Sequence, residues 1–274
     1  MSKGRSLHIG LNRVDPKHYV DGDGRPWSGD LCACENDANA LHVLAGGLGY
    51  EARPPLLTAA ATADVVIEAI RSDSASLDPG DAYLVTYSGH GGQLTNVNPD
   101  ADPEADRLDE TWCLFDRQLI DDELFALWSQ FSPGVRIVVL SDSCHSGTVT
   151  RGAPPTAELG QPRYKQLPRE VAEATERING DLYRSLQTAL PSKRLRSLAA
   201  TVVLMSGCRD DQYSRDGAEH GVFTGALLSA WEEPAARTSL ATLHAATATR
   251  IPAAFDQTPG FLIYSFEVGP ALAV

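Results

Sequence analysis

Two continuous apolar runs, each closing on a reactive side chain, constrain this chain more than any other feature. The first is Ala82-Tyr83-Leu84-Val85-Thr86-Tyr87, followed by Ser88-Gly89-His90-Gly91. The second is Val135-Arg136-Ile137-Val138-Val139-Leu140, followed by Ser141-Asp142-Ser143-Cys144-His145-Ser146-Gly147. Runs of this kind, bounded by small and polar residues, read as strands buried on both faces. If the two strands lie side by side and parallel, His90 and Cys144 emerge together at their carboxyl ends. That edge is where open α/β sheets bind ligands. A thiol beside an imidazole is a nucleophile beside its base.

The remainder of the chain alternates strand and helix. Strands are expected at Ser6–Asn12, Thr201–Cys208 and Phe261–Glu267, with a hairpin around Thr111–Ile120. Helices are expected at Asn36–Leu48, Thr62–Arg71, Val222–Trp231 and Leu240–Arg250, and from Asp121 to Gln130, where three carboxylates open the first turn. Gly91–Glu110 reads as a polar loop. This order predicts an α/β fold with a mostly parallel sheet of six or more strands and helices on both faces. With 274 residues and 43% hydrophobic content, a single domain over 1–274 is expected.

Residues 150–197 interrupt the pattern. From about position 148 onward this stretch holds five of the 17 prolines, and nine Lys and Arg residues against five acids. It carries a net +4, against −17 for the rest of the chain. It reads as a basic, exposed linker containing one loose helix, Arg169–Leu190, between a 1–149 part and a 198–274 part.

Composition excludes several classes. A net charge of −13 disfavours nucleic acid as a partner. No apolar stretch is long enough to span a bilayer, and the first residues lack a secretory apolar core, so a cytoplasmic protein without a membrane partner is expected. Five scattered cysteines argue against a disulfide framework. Cys32, Cys34, Cys113 and Cys208 do not have the spacing of a zinc knuckle.

Tyr87-Ser88-Gly89-His90-Gly91 and Asp142-Ser143-Cys144-His145-Ser146-Gly147 resemble the two catalytic motifs of the caspase-like cysteine peptidases, in particular the metacaspase branch. The resemblance covers about Leu7–Val149 and resumes at Val202–Gln212. It implies a caspase-like three-layer fold and a cysteine endopeptidase that generally works as a monomer. Cys144 would be the nucleophile and His90 the general base and acid. Gly91 lacks a side chain and can bring its backbone N–H close, and the Cys144 N–H is the natural second oxyanion donor. His145, adjacent to the nucleophile, is read as structural because neighbouring residues leaving a strand point to opposite sides.

Asp142 shares a strand face with Cys144, and Ser88 with His90, through the period of two. In metacaspases the positions matching Cys34, Asp37, Ser88 and Asp142 form the primary specificity pocket, which accepts Arg or Lys. Two carboxylates there suit a bidentate guanidinium. Such an enzyme would find sites in its own linker, at Arg151, Arg163, Lys165, Arg169 and Lys193-Arg194-Leu195-Arg196. A zymogen controlled by self-cleavage or by an upstream activating protease is therefore expected. The partners this resemblance implies are protein or peptide substrates with Arg or Lys before the scissile bond.

The chemistry requires no organic or redox cofactor. Calcium is an option, because its metacaspase site uses carboxylates matching Asp109, Asp121 and Asp122. The fourth acid of that pattern is replaced by Thr148-Val149-Thr150-Arg151, and the acids at 100–106 lack ordered ligand spacing. The alternatives are a caspase-fold scaffold that binds without cutting, which has no need of both His90 and Cys144, and a thiol hydrolase of small amides or thioesters.

Overall fold

The computed structural model describes residues 2–97, 108–144, 163–190, 198–209 and 212–264. Its centre is a seven-stranded sheet. β1 (Gly4–Gly10), β4 (Ala82–Ser88), β8 (Arg136–Asp142) and β9 (Thr201–Ser206) run parallel, and β10 (Gly260–Tyr264) closes one edge antiparallel to β9. The short strands β2 (Glu51–Ala52) and β3 (Leu56–Leu57) pair with β1 on its other side. The strand order is β10-β9-β8-β4-β1-β2. The chain therefore leaves β1 in one direction and returns for β4 on the opposite side, which makes β1/β4 the switch point of the sheet.

The continuous apolar runs are explained by helices on both faces. On one face Tyr83, Val85 and Tyr87 of β4 and Ile137 and Val139 of β8 pack with Val66 and Ile70 of α2 (Ala63–Ser74). Leu124, Leu127 and Trp128 of α3 (Asp121–Trp128) complete that core. On the other face Leu84, Val138, Leu140, Val203 and Met205 meet Leu41 of α1 (Cys34–Gly47). Phe223 and Leu227 of α5 (Val222–Trp231) and Leu240 of α6 (Leu240–Arg250) join them. Alternate strand residues feed opposite cores, as a period of two requires. The result is the expected three layers.

A second, three-stranded antiparallel sheet stands at the carboxyl edge: β5 (Gly91–Thr95), β6 (Leu108–Cys113) and β7 (Gln118–Ile120). The expected hairpin is present, but the polar loop starting at Gly91 is a strand for its first five residues. Gly91-Gly92 masked it, since glycine is a poor strand former. Trp112 of β6 ties this sheet to the main one. Its ring stacks on Tyr87 at 4.6 Å, and its indole N–H donates to Ser141 Oγ at 3.0 Å.

The expectation of an exposed basic linker needs correction over 163–190. α4 (Arg169–Ala189), kinked at Asn179, forms where a loose helix was expected. It packs Val171 against Val14, Tyr19, Cys113 and Leu167, and Tyr183 against Leu94 and Ile120. Charge composition could not reveal this, because the few apolar residues that dock the helix are outnumbered by solvated ones. Arg151 and the 193–196 cluster lie outside the described residues. Among those described, no helix is long and apolar enough to cross a membrane.

His8 on β1 is wholly buried, with Nδ1 3.0 Å from Thr86 Oγ1 and Nε2 2.9 Å from Ser6 Oγ. Burial, reinforced by the nearby His42, lowers its pKa to about 3. The unfolded imidazole titrates near 6.5, so below that pH the unfolded chain takes up a proton that the folded one refuses. Stability from this group is complete above pH 6.5 and lost as pH falls toward 3. Melting temperature against pH should show His8→Asn with a shallower acid limb, by ~1.4 kcal/mol per pH unit for one proton. Parallel limbs for the two proteins would rule out this role.

Candidate active site

Ser88 pairs with Asp142 at the ends of β4 and β8, and the two motifs continue from there together. The Gly89 N–H still reaches Asp142 O at 3.4 Å, and both His90 and Cys144 are buried. A Cβ on Gly91 would lie 1.8 Å from the Cys144 carbonyl oxygen, so this contact requires glycine. The thiol sulfur accepts the Ser214 N–H at 2.7 Å.

His90 is held from a loop that the motifs did not reveal. Its Nε2–H donates to the Gly29 carbonyl at 2.8 Å, and the Trp27 ring stands 5.1 Å from the imidazole. Only a donor suits a carbonyl partner, so Nε2 is assigned the proton and Nδ1 the lone pair. Nδ1 has no well-aligned partner among the described residues. Gly29 adopts φ +58°, and a Cβ there would strike both Trp27 and His90 Nε2. Burial lowers the His90 pKa to about 4, against opposing contributions from the Gly29 and Gln166 backbones, so the ring is neutral at pH 7.

The site is occupied by the chain itself. The Lys165 carbonyl accepts N–H bonds from both Cys144, at 2.9 Å, and Gly91, at 3.1 Å. The Lys165 N–H donates to Ser214 O at 2.9 Å, the Asp216 N–H to Arg163 O at 2.9 Å, and the Leu167 N–H to Gly91 O at 2.7 Å. Tyr164 pairs antiparallel with Arg215, and Gln166 parallel with Gly91. Residues 163–167 thus run as an extended strand between 214–216 and β5.

The Lys165 side chain is fully buried. Its ammonium donates to Ser88 Oγ at 2.8 Å, and lies 2.9 Å from Asp142 Oδ2 and 3.0 Å from Asp37 Oδ2. Burial opposes the charge, but Asp142 and Asp37 outweigh it and raise the lysine pKa well above its ordinary value. Burial likewise opposes ionisation of Asp37. The Lys165 charge, with hydrogen bonds from His220, Ser88 and Lys165, nonetheless lowers the Asp37 pKa. His220 is raised, chiefly by its 3.0 Å hydrogen bond to Asp37. Cys34, at the start of α1, is buried beside this group, and burial pushes its thiol pKa up. Asp142 also accepts from Ser214 Oγ and from the Thr224 hydroxyl and N–H, at the first turn of α5.

Cys34, Asp37, Ser88 and Asp142 therefore gather around one cation, beside His90, Gly91 and Cys144. Lys165 appeared in the sequence only as one basic residue among several. Gly29, Ser214, His220 and Gly221 carried no local signal, because each acts through backbone or tertiary contacts. Asp109 is buried on β6, and Asp121 and Asp122 open α3. Among the described residues no group of three or more His, Cys, Asp or Glu side chains is placed to hold a metal ion. His145, the 148–151 segment and the acids at 100–106 lie outside those residues. All five cysteines are free; Cys113 lies in the Tyr19 core, and Cys208 points its sulfur at Ser143 O and Gln212 O.

Comparisons with known proteins identify the family and the fold. The caspase-domain family, Peptidase_C14, matches residues 17–266. Metacaspase-1 of Saccharomyces cerevisiae is 28% identical over 263 residues, covering 83% of this chain and 58% of that protein. Metacaspase-1 of Schizosaccharomyces pombe is 28% identical over 274 residues, covering 84% and 59%. The chain thus spans less than two thirds of the length of these relatives. A crystal structure of a Geobacter sulfurreducens protein is 42% identical, superposes with a TM-score of 0.83, and covers 97% of this chain and 95% of its own. On its sheet order, its paired motifs and a match over nearly its whole length, the chain belongs to the caspase-domain family of cysteine-type peptidases, alongside the metacaspases.

Proposed function

We propose that this protein is a cysteine endopeptidase that cuts after a basic residue and whose first substrate is its own Lys165–Gln166 bond. The observation that carries the reading is the pose of Lys165: its carbonyl accepts the N–H groups of Gly91 and Cys144 while its ammonium sits between Asp37 and Asp142. That is how a peptide substrate engages an oxyanion hole and a charge-selective pocket together.

In the reaction, His90 Nδ1 takes the thiol proton and Cys144 Sγ attacks the carbonyl carbon. The carbonyl π electrons move onto oxygen, where the two N–H groups hold the charge. His90 then gives its proton to the Gln166 nitrogen, the C–N bond breaks, and a thioester remains on Cys144. A water molecule, deprotonated by His90, attacks the thioester. The C–S bond breaks, the His90 proton returns to the thiolate, and Lys165 is released as a carboxylic acid that gives its remaining proton to solvent. The Gly29 carbonyl keeps Nε2 protonated, so that Nδ1 is the nitrogen exchanging protons. These groups complete the cycle without a metal or an organic cofactor. Cutting by an upstream protease elsewhere in 150–197 is the other route to activation.

Mass spectrometry of the purified protein should reveal new termini at Lys165 and Gln166, absent from Cys144→Ala. Equal fragments in both proteins would reject self-cleavage. Asp142→Asn, which breaks a buried ion pair of the ~3–5 kcal/mol class, should slow cleavage of Lys- and Arg-ending peptides by ~100-fold or more. A preference for Asp-ending peptides would overturn the pocket assignment. Because burial lowers the His90 pKa, its base form persists below pH 6.5. The acid limb of single-turnover self-cleavage should therefore fall toward pH 4. A limb at 6.5 would overturn the assignment of His90 as the buried base of this reaction. Rates in calcium and in chelator should agree; a loss in chelator restored by calcium would assign Asp109, Asp121 and Asp122 to a metal site.

A further inference from the structure

The pocket that receives Lys165 has a defined depth and acceptor pattern. An ammonium has three N–H donors, and here it has three acceptors: Ser88 Oγ, Asp37 Oδ2 and Asp142 Oδ2, all within 2.8–3.0 Å. Each carboxylate offers the cation one oxygen. Asp37 Oδ1 is engaged by the His220 ring and the Gly221 N–H, and Asp142 Oδ1 by the Ser214 hydroxyl. A guanidinium gains its advantage from two parallel bonds to both oxygens of one carboxylate. Asp37 Oδ1 already accepts two donors, and Asp142 Oδ2 accepts the Thr224 hydroxyl and N–H beside the ammonium, so a bidentate guanidinium would compete with bonds already in place. The sequence suggested a bidentate guanidinium; the occupant here is an ammonium held by one oxygen of each carboxylate.

Depth acts in the same direction. A Cβ on Gly221 would fall 2.1 Å from Lys165 Nζ, 2.3 Å from Asp142 Oδ2 and 3.0 Å from Asp37 Oδ2. The backbone at Gly221 is therefore the end wall of the pocket, in contact with the ammonium. An arginine carries its terminal nitrogens one bond further, ~1.3 Å deeper than the lysine nitrogen, toward that wall.

We infer that this site is a lysine pocket that discriminates against arginine, with Gly221 as the specificity-determining residue that sets its depth. The inference rests on the proposed endopeptidase reading and narrows its substrate class to peptides with lysine before the cut. Gly221 has φ −56° and ψ 150°, which any residue adopts, so alanine there tests volume and not backbone strain. Its methyl would occupy the place of the ammonium.

The test uses the full chain and two internally quenched peptides, Arg-Tyr-Lys-Gln-Leu and Arg-Tyr-Arg-Gln-Leu, which copy residues 163–167 with lysine or arginine at the third position. Self-cleavage of the wild type and of Lys165→Arg is followed in parallel. The lysine peptide should be favoured in kcat/KM by at least ~10-fold, the loss of one charge-assisted hydrogen bond, and Lys165→Arg should self-cleave slower by a similar factor. Gly221→Ala, with a wild-type far-UV spectrum, should lose lysine-peptide turnover by more than that factor. Equal rates or an arginine preference would overturn the inference and leave the endopeptidase reading intact. Unchanged lysine-peptide turnover in a folded Gly221→Ala would remove Gly221 from the wall. A wild type that neither cuts itself nor cuts either peptide would overturn the endopeptidase reading, and the inference with it. Should Gly221→Ala not fold, the wild-type peptide ratio and the Lys165→Arg comparison decide.

Discussion

Ser88 faces Asp142 where β4 and β8 end together, and from that register the rest of the site is assembled. Two residues on, the chain delivers His90 from one strand and Cys144 from the next, while Ser88 and Asp142 line the adjoining pocket. A slip of one residue between these strands would exchange the core face for the opposite face and separate the two motifs. Helices on both sides oppose such a slip, because Tyr83, Val85 and Tyr87 fill one core and Leu84 the other. Packing between sheet and helices is thus also what sets His90 and Cys144 at one edge of the sheet.

Charge burial at the pocket follows a balance that the Lys165 cation completes. Two carboxylates placed together in a dry site repel one another and lose hydration, and a cation between them offsets both costs. The surrounding donors, from His220, Ser88, Ser214, Thr224 and the Gly221 N–H, hold the carboxylate oxygens in place. Such a pocket favours a cation over any neutral or acidic side chain. The segment after Lys165 is anchored separately: Leu167 and Val171 sit in the Tyr19 core, and α4 docks through Tyr183.

Local pattern carried much of the architecture. The buried strands, the helices at 222–231 and 240–250, and the helix within the basic stretch were readable because burial imposes a period on apolar residues. β5 was not readable, since Gly91-Gly92 has no strand propensity and is extended by pairing with Thr111 and Trp112. The basic stretch was misjudged for a different reason. Its average composition is that of a solvated linker, yet Lys165, its most consequential residue, has no exposed surface. Average charge says nothing about a single side chain that finds two carboxylates from distant segments.

The sequence alone set His90 and Cys144 at the carboxyl ends of two buried strands, because a strand pattern followed by a fixed motif is local information: His90, Gly91, Cys144 and the acids near them are read in order along the chain. Only the tertiary structure decided what the pair faces. The Gly29 carbonyl on His90, the Ser214 N–H on the sulfur, the Gly221 wall and the choice of Lys165 among nine basic residues all join positions far apart in the chain. Hydrogen bonds and ion pairs act over a few ångströms in space, so their partners are set by how the elements pack and leave no mark in the order of residues.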